Sequence, residues 1–168
     1  MESIQDGING ILRPIIQADM ETICQIELEC FPIEEAATPA QLMDRFNVAS
    51  DLFLGYEING KIVAFICGTR SNDNLLTFQS MYEHAANGKT LCIHALCVTS
   101  NFRRQGIASI LLKHYIEYIK QAIPSISVIN LIAHDYLIPF YEKAGFQCLG
   151  LSSVVQGKFS WYNCQMIL

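Results

Sequence analysis

Several broad classes are missing their marks in this chain. Its seven cysteines (Cys24, Cys30, Cys67, Cys92, Cys97, Cys148 and Cys164) form no Cys-x-x-Cys pair, and their number is odd. That argues against a disulfide framework and against a zinc site, so no metal is expected. Most sit in apolar stretches, where free cysteine behaves as a small hydrophobe, and reduced thiols point to the cytoplasm. Charge is sparse: charged residues make up 16% and the net charge is -5, without the basic excess a nucleic-acid binder needs. No apolar stretch is long enough to span a bilayer, so no membrane association is expected. Met1 to Gly10 carries two acids and no apolar run, unlike a secretory signal. There is no repeat, linker or low-complexity tract, and no Gly-Lys-Ser/Thr that would close a nucleotide triphosphatase loop.

What is there is a folded chain. Its 168 residues are 51% hydrophobic, enough for one domain covering 1–168 with a real core. Ile11 to Ile16 reads as a strand and Asp19 to Phe31 as a partly apolar helix. Thr38-Pro39 starts a second helix, with Thr as cap and Pro at the first position. Leu52–Ile58 and Lys61–Thr69 are strands joined by Asn59-Gly60, the strongest short hairpin signal. A short helix is expected around Thr77 to His84, then a strand from Thr90 to Val98. A helix is expected from Arg104 to about Ala122, and a strand from Ile126 to Ala133. Leu137 to Lys143 reads as a short helix, and Phe146–Leu149 and Phe159–Leu168 as closing strands. This order predicts an α/β (α+β) fold, a mixed sheet with helices on its faces.

The segment Arg103-Arg104-Gln105-Gly106-Ile107-Ala108 lies between a strand and a helix. First-turn amides have no partner inside a helix, and the macrodipole is positive there. Gly106 lets an anion approach the backbone, Ala108 keeps the surface low, and two arginines add charge. That is a pyrophosphate cradle. A lone Arg-x-x-Gly-x-Ala is also compatible with a plain basic helix start. A Rossmann loop is disfavoured, because one Gly stands where that fingerprint has three.

The hexamer resembles the Arg/Gln-x-x-Gly-x-Gly/Ala signature of the GCN5-related N-acetyltransferase (GNAT) superfamily. Four blocks are similar to the arylalkylamine (serotonin) N-acetyltransferases, in their order: Leu54 to Gly68, Ile93 to Val98, Phe102 to Gly106, and Leu137 to Glu142. The resemblance implies a single acetyltransferase domain with a splayed acetyl-CoA cleft. It implies that Leu96, Cys97 and Val98 pair with the pantetheine arm, as in strand addition. It implies that Arg103, Arg104, Gln105, Gly106, Ile107, Ala108 and Ser109 hold the pyrophosphate.

Acetyl transfer to an alkylamine needs a proton acceptor, since such an amine has a pKa near ~10.4. His94 is the candidate base. Cys92, two residues away, projects on the same sheet face. The arylalkylamine enzymes have histidines at both positions, so Cys92 is a departure. A Cys92 thiolate nucleophile is disfavoured, because a buried cysteine is inert. Tyr141 is the candidate acid for the leaving thiolate, by its likeness to the superfamily tyrosine at the CoA sulfur. The resemblance also implies that Phe31 and Trp161 wall the acceptor ring, with Phe159 a close alternative to Trp161. His134 and Asp135 either face the site or form a solvated turn, and the turn is favoured. Glu34-Glu35 is either a solvated charge run or an attractor for a second amine.

The expected reaction is acetyl transfer from acetyl-CoA to a small arylalkylamine. The alternatives are a polyamine, a protein N-terminus or lysine, or a non-catalytic acyl-CoA-binding module. The expected partner is a small-molecule amine. The vertebrate enzymes' phosphorylated terminal segments have no counterpart here, so no phosphorylation-dependent regulatory partner is expected.

Overall fold

The computed structural model describes residues 4–5, as backbone, and 10–168. Met1 to Gly10, read above as unlike a secretory signal, lies almost wholly outside them. The chain divides into two compact units, Met1–Cys67 with Ala95–Tyr115, and Gly68–His94 with Ile116–Leu168. The strands are β1 (Ile4–Gln5), β2 (Gly10–Pro14), β3 (Phe53–Ile58), β4 (Lys61–Ser71), β5 (Thr90–Val98), β6 (Val128–Ala133), β7 (Gln147–Leu151) and β8 (Tyr162–Ile167). The helices are α1 (Met20–Cys30), α2 (Pro39–Ala49), α3 (Ile107–Ala122) and α4 (Ile138–Lys143). Strands β4 and β5 and helix α3 contribute to both units.

In the first unit the strand order is β1-β2-β3-β4-β5. β2 and β3 pair antiparallel from Gly10↔Ile58 to Pro14↔Leu54. β3 and β4 form the expected hairpin, and both turn residues, Asn59 and Gly60, have positive φ (50° and 76°). That is the backbone of a turn whose twist matches the strands it joins. Thr38 caps α2 by accepting from the Gln41 amide, and the Gln41 side chain accepts from the Thr38 amide. This reciprocal cap fixes where α2 begins. One face of α1 (Met20, Ile23, Ile26) and one of α2 (Leu42, Phe46) close over Phe53, Phe65, Ala95 and Cys97. The fully buried Tyr115 of α3 satisfies its hydroxyl on the Leu52 carbonyl at 2.9 Å.

In the second unit the order is β4-β5-β6-β8-β7. β6 runs parallel to β5, and its other neighbour β8 is antiparallel to it and to β7. The β5–β6 ladder holds only Thr90↔Val128, Leu91↔Ile129 and Cys92↔Asn130, although both strands continue. The mixed α/β fold expected from the sequence is present, and its strands are mostly antiparallel.

Two expected helices differ. Residues 77–84 hold only a 3-10 turn, Gln79–Met81. There the Ser80 hydroxyl accepts from the Thr77 amide and the Thr77 hydroxyl accepts from the Ser80 amide, each taking a backbone donor. α3 begins at Ile107 instead of Arg104. Arg104 and Gly106 have φ of 61° and 80°, which no right-handed helix accommodates.

Candidate active site

In the first unit, the residues before α3 form a looped turn. The α3 ladder opens with Ile110 donating to the Gly106 carbonyl, so the amides of Ile107, Ala108 and Ser109 precede it. A Cβ built on Gly106 would meet nothing within 4 Å, so the space over this backbone is open. Arg104, Gln105, Gly106 and Ser109 are exposed around it, Ala108 is half-buried, and Ile107 anchors the helix start in the interior. Consecutive amides beside a left-handed residue make an anion-binding concavity.

Arg103 does a different job from Arg104. Its Nε donates to the Val98 carbonyl at 3.0 Å and its Nη2 to the Glu29 carbonyl at 3.0 Å. Glu29 in turn accepts from the Thr99 hydroxyl (2.7 Å) and the Ser100 amide (3.0 Å). The end of α1 therefore grips the start of the loop. Leu96 and Val98 are half-buried, while Cys97 points into the core, its thiol 3.8 Å from the buried Glu27. Phe31 ends α1 and packs, half-buried, against the same core. The Glu34-Glu35 pair is split: Glu34 is exposed and Glu35 is buried, so the pair is not a solvated run.

In the second unit, His94 is half-buried on β5, and its Nε2 lies 2.7 Å from the Thr69 hydroxyl. Thr69 donates its only proton to the Ser80 carbonyl at 3.1 Å, since a carbonyl only accepts. The hydroxyl must then accept from His94. That fixes the neutral imidazole as the Nε2–H tautomer, with the lone pair on Nδ1. Neither Thr69 nor Ser80 was singled out in the sequence, where nothing ties them to His94.

Cys92 is fully buried with Leu76 and Val154, and burial pushes its thiol up to about 11. It presents no surface to a ligand and is no nucleophile at neutral pH. Tyr141 is buried on α4, its ring edge-on to Phe140 (5.0 Å) and Phe146 (5.7 Å). Trp161 is buried, with its indole N–H donating to the Gln156 carbonyl at 2.7 Å, whereas Phe159 is 70% exposed. Trp161 is thus the built-in aromatic of the two. Its stacking partner corrects another expectation. His134 is no solvated turn residue: it is 8% exposed and lies face-on to Trp161, with ring centroids 3.9 Å apart. Among the described residues, no cluster of three or more His, Cys, Asp or Glu is placed to hold a metal ion, and no helix is long and apolar enough to cross a membrane.

Comparison with known proteins bears on this arrangement. The chain is 32% identical to the serotonin N-acetyltransferase of Mesocricetus auratus over 159 residues, covering 93% of this chain and 76% of the relative. Its fold is similar to the loading GNATL domain of CurA from Lyngbya majuscula, with a TM-score of 0.83, 15% identity, and 94% and 97% of the two chains covered. It is also similar to Arabidopsis thaliana Naa50, solved with the bisubstrate analogue CoA-Ac-MVNAL, with a TM-score of 0.72, 16% identity, and 95% and 99% covered. The profile of the Acetyltransferase (GNAT) family matches residues 20–146, a span that holds His94, the 103–109 loop and Tyr141. With most of its length matched, this chain belongs to the GNAT acetyltransferase family.

Proposed function

We propose that this enzyme transfers the acetyl group of acetyl-CoA to the primary amine of a small arylalkylamine, in the cytoplasm and without a metal. The observation that carries the reading is the setting of His94: a half-buried imidazole on β5, held 2.7 Å from the Thr69 hydroxyl, is a general base of the right chemistry for an amine. The residues fit the cofactor. The amides of Ile107, Ala108 and Ser109, with the open surface over Gly106, suit a pyrophosphate. Arg104 is exposed beside them to add charge, and Arg103 holds the loop in shape. Acetyl-CoA supplies an activated thioester. The chain's own work is to bind the phosphates, take protons from the amine at His94, and return one to the departing sulfur from Tyr141. Trp161, stacked on His134 in the second unit, supplies an aromatic group, which suits an arene more than a peptide.

The test is a panel of tryptamine, phenylethylamine, spermidine and a lysine peptide, each with acetyl-CoA, following thiol release. Turnover of the two arylalkylamines at the highest kcat/KM is the expected result. Preference for spermidine or the peptide would move the assignment to those substrates, and no turnover with any would overturn the reading.

A further inference from the structure

Acetylation of a protonated amine removes two protons from one nitrogen. The ammonium loses the first before it can attack, and the amide nitrogen loses the second as the C–N bond is completed and the C–S bond breaks. One of these ends on the sulfur and the other in solvent. A single imidazole would have to unload between the two events. The second unit contains another imidazole in a position to share the work.

His134 follows directly on β6, with an extended backbone (φ -67°, ψ 155°), so strand alternation continues through it. Cys92 lies opposite Asn130 in the parallel ladder. Counting by twos from that pair, His94 falls on the same sheet face as Ile132 and His134. The packing of Cys92 and Ile132 in one apolar cluster agrees with this count. His134 stands one two-residue step, about 7 Å of strand, further along than the position level with His94.

Its chemistry is also set. Nδ1 of His134 lies 3.1 Å from the Ser160 carbonyl, which only accepts, so Nδ1 carries the proton and Nε2 the lone pair. Trp161 stacks on one side at 3.9 Å and Tyr136 at 5.8 Å, with Phe159 edge-on at 6.1 Å. An aromatic face, indole best of all, stabilises an imidazolium. Tyr136 and Phe159 are exposed, so this cluster reaches solvent. Charged residues adjacent to this cluster in sequence include Asp135, whose carboxylate accepts from the Tyr136 amide at 2.7 Å, and Lys158, two residues before Ser160.

Resting on the acetyl-transfer reading, we propose that His134 is a second proton acceptor of this site, which takes the proton of the incoming ammonium at Nε2, directly or through one water, while His94 takes the proton released as the amide forms. The ammonium N–H bond breaks and an Nε2–H bond forms, giving an imidazolium held between Ser160 and Trp161. That imidazolium then returns its proton to solvent past Tyr136 and Phe159.

The test uses the full chain and two amines: phenylethylamine, protonated at neutral pH, and trifluoroethylamine, already the free base there. His134→Phe keeps a ring against Trp161 and removes the lone pair. It should lower kcat/KM for phenylethylamine about 10- to 100-fold at pH 7 and recover toward pH 9.5, where the ammonium loses its proton to solvent unaided. Trifluoroethylamine should change less than about 3-fold, because its first proton is already gone. Equal loss with both amines, or no loss with either, overturns the proposal in favour of a packing role. If the wild type acetylates no amine at all, the acetyl-transfer reading itself fails, and this proposal falls with it.

Discussion

Thr69 offers the sharpest test of how His94 is prepared for its task. Its hydroxyl is 2% exposed at the residue level, 2.7 Å from His94 Nε2, and its own proton is given to Ser80. Thr69→Val keeps the shape and deletes the relay. The hydrogen bond that selects the tautomer contributes about 1 kcal/mol net, and a ring N–H left in the interior costs about 1–3 kcal/mol. The imidazole answers by moving its proton to Nδ1 in a large share of molecules, which blocks the basic nitrogen. Taken together, the loss in transition-state stabilisation is about 1–2 kcal/mol, or about 5- to 30-fold in kcat/KM. The measurement is the pH dependence of kcat/KM for acetylation of phenylethylamine, with thermal unfolding beside it. Thr69→Ser restores the relay and should stay within about 3-fold of wild type. If Thr69→Val loses stability while keeping its kcat/KM, the tautomer has no part in the rate and the reasoning is wrong.

Three further outcomes follow from the same geometry. Gly106→Val should raise the KM for acetyl-CoA steeply while lowering stability by only about 1–2 kcal/mol, the strain of a left-handed residue, since its own chain leaves the space open; an unchanged KM would remove the loop from cofactor binding. Cys30 should be the first thiol alkylated by iodoacetamide. The Cys97 thiol hydrogen-bonds to it and the Arg103 guanidinium lies beside it, lowering it to about 7, while burial pushes Cys67 up to about 12. Peptide mapping should show half-maximal labelling near pH 7 for Cys30, and prior labelling of Cys24 or Cys148 would contradict this. Burial raises the Glu27 carboxyl above its ordinary range, so the fold favours its protonated form. Stability from this group is therefore full below the unfolded value of about 4.3 and declines as pH rises through the folded one. Glu27→Gln should raise Tm at pH 8 and leave it unchanged at pH 4, with the Ala37 amide still accepted by the side-chain carbonyl.

How much of this was legible in the sequence depended on how local the determinant was. The Asn59-Gly60 hairpin, the Thr38-Pro39 helix start and strand β5 are written in neighbouring residues and stand where their chemistry puts them. The start of α3 is misread because Arg104 adopts a left-handed backbone that its side chain does not advertise. The Thr69–Ser80–His94 relay joins residues that sequence patterning has no means of bringing together. His134 looks like a turn residue after a strand because the indole that covers it comes from far along the chain. Alternation carried one residue past the end of β6 would have placed it on the face of His94. The anion loop was legible as a motif, but the division of labour between Arg103 and Arg104 was not.

That division has a thermodynamic consequence. The grip of Glu29 and Arg103 on residues 98–100 belongs to the folded protein itself. The conformational entropy of the loop is therefore lost during folding and not at each encounter with a ligand. Folding free energy, drawn from the end of α1, is converted into readiness of a surface that α1 does not itself provide.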